Sequence, residues 1–359
     1  MKLLNPLIIG NQRMKNSMVM SAMTRSRANE FGVVGDLTTL YYTQRASAGL
    51  ILSEAINISV QAIGSPFTPG IFNSEQIEAW RKVTTAVHEN GGIIYAQLWH
   101  TGRVGHSIDR QGILPVAPSA IAIEGAKHFT SQGPQDYEIP SALTLDEIKQ
   151  IIQDYRQAAL NAIEAGFDGV ELHAANGYLP HQFLAESSNH RTDEYGGNIE
   201  NNSRFILEIM ANLIQAIGGE KVGIKISPFH PYAGMVFNDP VASFSYLIGE
   251  LNKMDFAFVE LMKRNPMFPA IPQYPTADEI ELFGTLVKKS LIANTAYTRE
   301  SGESELEKGI ASAISYGTLF LANPDLPKRF ETNAELNQTD RMTMFGGGEK
   351  GYIDYPSLG

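Results

Sequence analysis

The chain of 359 residues contains no cysteine. This excludes disulfide bonds, a catalytic thiolate, and zinc or iron–sulfur sites held by cysteine. No run of about 18 apolar residues is present, so we expect no membrane span. The apolar run at the N-terminus is interrupted by Asn5 and Pro6 and is too short for a signal peptide. We therefore expect the protein in the cytoplasm.

Basic residues are fewer than acidic ones: the chain has 28 Lys and Arg residues, 39 Asp and Glu residues and a net charge of −11. Nucleic-acid binding needs a basic surface, so nucleic acid is not an expected partner. The Gly-x-Gly-x-x-Gly fingerprint of dinucleotide-binding sheets and the phosphate-binding P-loop are both missing. Neither motif can therefore be used to assign a nucleotide cofactor.

The chain does have a regular alternation of apolar and amphipathic segments. Its hydrophobic content of 43% is ample for one large core, and no linker divides residues 1–359, so we expect a single domain. Eight segments are strand candidates: 17–22, 49–56, 92–98, 167–172, 221–227, 256–261, 290–294 and 318–322. Amphipathic helix candidates lie between them at 38–47, 75–90, 145–165, 199–217, 240–253, 277–288, 303–315 and 325–331. This order predicts an α/β fold, a single (β/α)8 TIM barrel, with a doubly wound open sheet as the alternative.

Two helix starts and one long insertion can be located. Thr144 and Glu147 form a predicted capping box, and Asp239 followed by Pro240 is typical of a second helix start. Residues 101–143, between the third strand candidate and its helix, are too many for an ordinary loop. We predict that this segment is a capping insertion over the barrel mouth.

The most informative stretch is 170–198, in which a strand candidate leads directly into His173, Asn176 and Tyr178. A rigid strand followed by a short loop suits a site that orients a substrate. His and Asn can both donate hydrogen bonds to one carbonyl or anionic oxygen. Tyrosine, with a pKa of about 10, is a reluctant acid that serves when a strong base such as a carbanion forms beside it.

In a TIM barrel the reactive groups lie at the carboxyl ends of the strands. This rule also selects Thr24 after the first strand candidate, Ala55 in the second, Gln97 and Trp99 in the third, and Lys225 in the fifth. Of these residues, Lys225 most needs a charged or hydrogen-bonding partner, because burying a lysine without one costs free energy.

These motifs resemble those of the Old Yellow Enzyme family, flavin-dependent ene-reductases with a (β/α)8 barrel fold. The resemblance extends from Pro6 to Leu358, essentially the whole chain. Besides 170–198 it is carried by Ser21-Ala22-Met23-Thr24-Arg25-Ser26-Arg27, Gln97-Leu98-Trp99-His100-Thr101-Gly102-Arg103, Gly223-Ile224-Lys225-Ile226-Ser227-Pro228, Ala322-Asn323-Pro324-Asp325-Leu326 and Gly351-Tyr352-Ile353-Asp354-Tyr355-Pro356-Ser357-Leu358.

The resemblance implies FMN as cofactor and NAD(P)H as reductant. It implies flavin contacts from Thr24, Gln97, Lys225 and the backbone of Ala55. Their chemistry suits a flavin, whose ring edge offers hydrogen-bond donors and acceptors and whose reduced form carries a negative charge that a cation stabilises.

The resemblance further implies ping-pong reduction of activated C=C bonds in α,β-unsaturated carbonyl or nitro compounds. In this scheme His173 and Asn176 bind the substrate oxygen, and Tyr178 protonates the α-carbon. We expect Trp99 and Phe345 to line the substrate, although Phe345 stands where the family often has tyrosine.

The chain departs from the family pattern where the FMN phosphate is expected. After the seventh strand candidate Thr295 stands where glycines are usual, and Gly317 is followed by Thr318 instead of arginine. Asn202 likewise stands where arginine is frequent. We expect Thr295, Gly317 and Thr318 to supply part of the lost phosphate contact.

Other functions stay open. A poorly flavinated or non-catalytic barrel that binds phenolic or other anionic ligands is the main alternative, because the phosphate loops are altered. A flavin-free lyase or hydrolase is a third, and Glu54 with Glu171 invites comparison with the paired carboxylates of a glycosidase. No carboxylate lies at ligand spacing from His173, His181 and His190, so we expect no metal site. The substrate, the choice between NADH and NADPH, and the oligomeric state are left open.

Overall fold

The computed structural model describes residues 1–358 and contains a closed barrel of eight parallel strands. The strands, numbered in chain order, are β1 (Met18–Met20), β2 (Leu50–Leu52), β3 (Ile94–Trp99), β4 (Gly169–Ala174), β5 (Val222–Ile226), β6 (Phe258–Met262), β7 (Ser290–Asn294) and β8 (Ala313–Tyr316). Successive strands are neighbours in the sheet, and β8 pairs with β1. The predicted TIM barrel is therefore confirmed, and the open sheet is wrong.

A helix follows each barrel strand. These helices are α1 (Asp36–Gln44), α2 (Ser74–Glu89), α3 (Leu145–Glu164), α4 (Ile199–Ile217), α5 (Pro240–Leu251), α6 (Glu279–Leu282), α7 (Arg299–Lys308) and α8 (Leu326–Thr332). Both predicted helix starts are present: Thr144 and Glu147 cap α3 reciprocally, and the Asp239 side chain accepts a hydrogen bond from the N–H of Ala242 in α5. Two shorter helices, Leu179–Leu184 and Thr318–Ala322, follow β4 and β8 directly.

The eighth barrel strand and the helix before it differ from the prediction. The strand predicted at 318–322 is wrong, because these residues form a short helix and β8 lies before them. The helix predicted at 303–315 is also too long and ends at Lys308, where Gly309 adopts a left-handed φ of 77° as the cap. An apolar run this short does not distinguish a buried strand from a buried helix by its pattern.

Alternation along the strands separates two apolar regions. Outward side chains such as Leu172 pack against the helices in the main core. Inward side chains near the amino ends of the strands, including Tyr95 and Phe258, form a second core. An N-terminal antiparallel hairpin (Leu7–Ile9 with Gln12–Met14) contributes to this inner core and covers that end of the barrel. Nearer the carboxyl ends the inward residues become polar, so the barrel mouth is the place for a site.

Residues 101–143 form a structured segment between β3 and α3. It contains a 3-10 turn (Ser107–Arg110), an antiparallel hairpin (Lys127–Thr130 with Gly133–Asp136) and a parallel two-stranded pair (Val116–Ala117 with Ser141–Ala142). The Arg103 guanidinium donates to the carbonyl oxygens of Ile121 at 3.0 Å and Ala233 at 2.9 Å. The segment is thereby fastened to the loop after β5. In the described part of the chain, no helix has the length and apolarity needed to cross a membrane.

Candidate active site

Three rings meet at the mouth of the barrel. Trp99 ends β3, His173 lies in β4, and Tyr178 follows β4 after a short loop. The Trp99 and His173 rings are nearly parallel with centroids 6.5 Å apart, and the Tyr178 ring meets them edge-on at 4.8 and 4.9 Å. Trp99 and His173 are buried and Tyr178 is half-buried. The packing holds an imidazole beside a phenol at the carboxyl ends of two strands.

The loop before Tyr178 has a backbone that few residues adopt. Asn176 has a φ of 54°, in the left-handed region that asparagine tolerates better than most residues. Gly177 follows with a φ of 73°, and a Cβ there would lie 2.7 Å from the Tyr232 carbonyl oxygen. The Asn176 N–H donates to Ser227 Oγ at 2.9 Å. The loop is therefore fixed against the residues that follow β5.

Burial sets the protonation of the imidazole and the phenol. It lowers the pKa of His173 well below the ordinary 6.5, and the positive charge of Lys225 lowers it further, so the ring is neutral at pH 7. Burial also raises the pKa of the Tyr178 phenol above its ordinary value, so the phenol keeps its proton. The site can thus donate a hydrogen bond from a neutral imidazole and a proton from a phenol.

Several buried polar atoms near these rings have no hydrogen-bond partner within residues 1–358. They are Trp99 Nε1, His173 Nδ1, Asn176 Oδ1 and Glu171 Oε1. Buried polar atoms are paired in the great majority of cases, because leaving one unpaired costs about 1–3 kcal/mol. Unpaired buried atoms also occur elsewhere in residues 1–358, but these four belong to residues at the carboxyl ends of β3 and β4, where a ligand could complete their hydrogen bonds.

Gln97 and Glu171 face each other across β3 and β4. They are register partners, and Gln97 Nε2 donates to Glu171 Oε2 at 2.6 Å. Burial raises the pKa of Glu171 well above 4.5, and the charge of Glu260 raises it further, so burial favours the uncharged carboxylic acid. One amide N–H of Gln97 is occupied by Glu171, which leaves the other N–H and the amide oxygen for a ligand.

The partner of Lys225 is Glu260 on β6. Lys225 Nζ lies 3.2 Å from Glu260 Oε2, and Asn294 Nδ2 on β7 donates to Glu260 Oε1 at 2.8 Å. The sequence indicated that Lys225 needs a partner, but Glu260 and Asn294 were missed. Both are polar residues within apolar strands. The same feature singled out Lys225 and could have identified Glu260 and Asn294 as well.

The raised pKa of Glu171 has a consequence for stability. Its folded pKa is raised above the unfolded value of 4.5, so wild-type stability falls as pH rises through 4.5 toward the folded pKa. Glu171→Gln removes this dependence, and each tenfold difference in proton affinity between the folded and unfolded chains corresponds to about 1.4 kcal/mol. We expect the variant to gain stability relative to the wild type between pH 4.5 and pH 8. Urea unfolding of the flavin-free proteins at both pH values measures this, and a constant difference would show that Glu171 is ionised.

The residues after β7 and β8 lie at the same mouth. Thr295 and Ala296 both have positive φ, 98° and 58°, in the region that favours glycine. Thr295 Oγ1 donates to Asn294 Oδ1 at 3.0 Å and helps hold this turn. Gly317 and the exposed Thr318 follow β8. Loops after the seventh and eighth strands often bind phosphate in TIM barrels, and strain of this kind typically accompanies function.

The remaining predicted site residues, Thr24, Ala55 and Phe345, differ in burial. Thr24 is half-buried beyond the end of β1, and Ala55 is buried next to the short strand Ile56–Asn57. Phe345 is 65% exposed and makes no aromatic contact with the three rings at the mouth. Its neighbours Met344 and Gly346 are hydrogen-bonded to Arg25, the residue after Thr24.

The other residues considered for catalysis or metal binding have partners within the fold. Glu54 accepts a hydrogen bond from the Arg25 N–H at 3.0 Å, whereas Glu171 accepts one from Gln97 at 2.6 Å. His181 Nδ1 instead accepts from the Gly177 N–H at 3.1 Å. Within residues 1–358, no group of three or more His, Cys, Asp or Glu residues is placed to hold a metal ion.

Comparison with known proteins places this site in a family. Residues 2–337 match the model of the NADH:flavin oxidoreductase / NADH oxidase family. A probable flavin mononucleotide-dependent alkene reductase from Leishmania infantum is 42% identical over 99% of this chain and 97% of its own length. The rice 12-oxophytodienoate reductase 1 (Oryza sativa subsp. japonica) is 41% identical over 99% of this chain and 93% of its own.

Solved structures agree in fold over the whole barrel. The old yellow enzyme homologue from Zymomonas mobilis superposes with a TM-score of 0.95 at 40% identity, covering 99% of this chain and 100% of that one. Morphinone reductase in complex with tetrahydroNAD superposes with a TM-score of 0.93 at 44% identity, covering 99% and 98%. The chain therefore belongs to the NADH:flavin oxidoreductase / NADH oxidase family and is an Old Yellow Enzyme homologue.

Proposed function

We propose that the protein is an FMN-dependent ene-reductase that oxidises NAD(P)H and reduces activated C=C bonds of α,β-unsaturated carbonyl or nitro compounds. The observation that carries this proposal is the group formed by the neutral imidazole of His173, the protonated phenol of Tyr178 and the unpaired buried polar atoms around them. A donor to an oxygen and an acid for a carbon are the two protein groups that such a reduction requires.

The residues present fit a flavin ring. Gln97 retains a free amide N–H and its oxygen, Thr24 offers a hydroxyl at the end of β1, and the Lys225 ammonium is fixed within the barrel. Ala55 would contribute backbone contacts. When bound, FMN supplies hydride chemistry, taking a hydride from NAD(P)H and delivering one to the substrate.

The substrate oxygen would bind to His173 and Asn176. Two hydrogen bonds to that oxygen polarise the conjugated C=C bond and make its β-carbon electrophilic. Tyr178 would then protonate the α-carbon, and its position beside His173 supports this order of contacts. Trp99 would form one wall of the substrate site and Phe345 the outer rim.

We infer that residues 1–359 act as a single domain and that 101–143 caps the mouth. The hydrogen bonds of Arg103 support the capping role, because they join Ile121 in this segment to Ala233 in the loop after β5. We propose a cytoplasmic enzyme whose partners are small molecules, the unsaturated substrate and NAD(P)H, and we assign no oligomeric state.

The phosphate end of the cofactor site offers a test of its own. We propose that FMN phosphate is held by Thr295, Gly317 and Thr318 without a guanidinium. Thr318→Arg adds a charged phosphate partner at an exposed position, worth about 1.5–3 kcal/mol, so FMN loss on dilution should slow roughly 10- to 150-fold. Flavin fluorescence after dilution measures the rate, with Thr318→Gln as the uncharged control. If the arginine variant releases FMN as fast as the parent, these loops do not hold the phosphate.

The altered phosphate loops also favour the second candidate, a poorly flavinated barrel that binds phenolic or other anionic ligands. Turnover separates the two. Without oxygen and with saturating FMN, the proposed enzyme turns over NADH or NADPH when an enone is supplied as the only acceptor, and it forms the saturated product in equal amount. Binding of a phenol without any turnover, at any FMN concentration, would favour the binding protein.

A further inference from the structure

A carboxylate lies directly beside the lysine of the cofactor site. Lys225 and Glu260 are register partners on β5 and β6, with Nζ 3.2 Å from Oε2 and side-chain exposures of 5% and 0%. Two opposite charges so close in a dry interior cancel most of each other's field. The cation that FMN meets here is therefore one half of an ion pair.

Glu260 Oε2 meets Lys225 at ion-pair distance without a hydrogen bond of its own, and the carboxylate is anchored through its other oxygen. Asn294 Nδ2 donates to Glu260 Oε1 at 2.8 Å and lies 3.1 Å from the hydroxyls of both Ser21 and Ser315. Ser21 Oγ also lies 3.5 Å from Lys225 Nζ. Side chains from five strands or strand ends thus surround the ammonium and the carboxylate.

A second acid, Glu171, lies beside this pair. Burial raises the pKa of Glu171 well above its usual value, and the charge of Glu260 raises it further, so burial favours its uncharged form. Glu171 also holds the Gln97 amide of the same site, so it is not used as the control. The control is Glu305 on α7, a buried acid outside the residues assigned to the flavin ring, which accepts a hydrogen bond from the Tyr297 phenol at 3.0 Å.

We propose that Glu260 is a positioning residue that fixes the Lys225 ammonium and cancels its charge, so that the site stabilises reduced FMN less than a lone cation would. The inference rests on the proposed function, since it concerns the cofactor of that same site. A fixed cation stabilises the negative charge of reduced flavin, and removing the carboxylate restores that effect.

The test is the reduction potential of bound FMN in Glu260→Gln and Glu305→Gln, measured by equilibration with a reference dye. Glu260→Gln should bind reduced FMN at least 10-fold more tightly relative to oxidised FMN, a potential about 30 mV more positive for two electrons. Glu305→Gln should leave that ratio within about threefold of the wild type. An unchanged potential in Glu260→Gln, an equal shift in both variants, or loss of FMN from Glu260→Gln would overturn the proposal.

A flavin-free measurement keeps the pairing testable if Glu260→Gln folds poorly. Thermal unfolding of Glu260→Gln, Lys225→Met and the double variant forms a cycle. We expect each single variant to be destabilised and the double variant to be more stable than the sum of the two effects, because neither charge is left unpaired. Additive effects would contradict the pairing. A parent protein that binds no FMN would overturn both the proposed function and the proposed effect of Glu260 on reduced FMN. The cycle, which needs no FMN, tests only whether Lys225 and Glu260 interact.

Discussion

Tyr178→Phe should slow the oxidation of the reduced enzyme by an enone about 10²–10⁴-fold, the usual contribution of a positioned acid. The change keeps the ring that packs against Trp99 and His173 and removes only the proton. Reduction of the enzyme by NAD(P)H needs no carbon protonation and should remain nearly intact. Stopped-flow spectroscopy measures the two half-reactions separately.

The control for this prediction is Tyr232→Phe, which removes another phenol close to that of Tyr178. It should leave both half-reactions within a few-fold of the wild type. Quinone reduction by Tyr178→Phe should also be spared, since it requires no proton on carbon. Equal slowing of both half-reactions would make Tyr178 structural, and no slowing would assign the proton to water or another residue.

His173→Ala should weaken the binding of phenols and unsaturated carbonyls by about 2–4 kcal/mol, roughly 30- to 1,000-fold in Kd, because a buried oxygen loses a donor. Since the pKa of the imidazole lies well below 6.5, the loss should be the same at pH 6 and pH 8 once the ionisation of the phenol is taken into account. Titration of the flavin absorbance with a phenol measures Kd in each case.

His173→Asn is the matched variant, because its amide restores one N–H donor at a similar reach. We expect it to recover part of the affinity that His173→Ala loses. Unchanged phenol binding by His173→Ala, with FMN retained, would contradict the assignment of the oxygen site.

The sequence was sufficient for the barrel and for much of the site. Strand periodicity placed Glu171 and His173 on one face, and the structure has Glu171 facing Gln97 and His173 beside Trp99. The rule that reactive groups lie at the carboxyl ends of TIM-barrel strands predicted that Tyr178 lies at the same mouth. These features follow from local alternation and from the common direction of the strands, both of which are visible in a single sequence.

The parts that the sequence did not predict depend on register and on backbone conformation. The pairing of Lys225 with Glu260 requires knowledge of which residues of β5 and β6 lie opposite each other. The positive φ angles of Thr295 and Ala296 could not be predicted, because neither residue favours them. The misplaced eighth strand reflects an apolar run too short to reveal its period.

The central claim is that this site passes a hydride from NAD(P)H to an activated C=C bond through FMN. Anaerobic visible spectroscopy of the FMN-loaded protein tests it most directly. The flavin absorption band should bleach on addition of one equivalent of NADPH or NADH and return when an enone is added, with the saturated product formed in equal amount. A band that neither nicotinamide bleaches, or that bleaches and stays bleached with every enone and nitroalkene tried, would contradict the account.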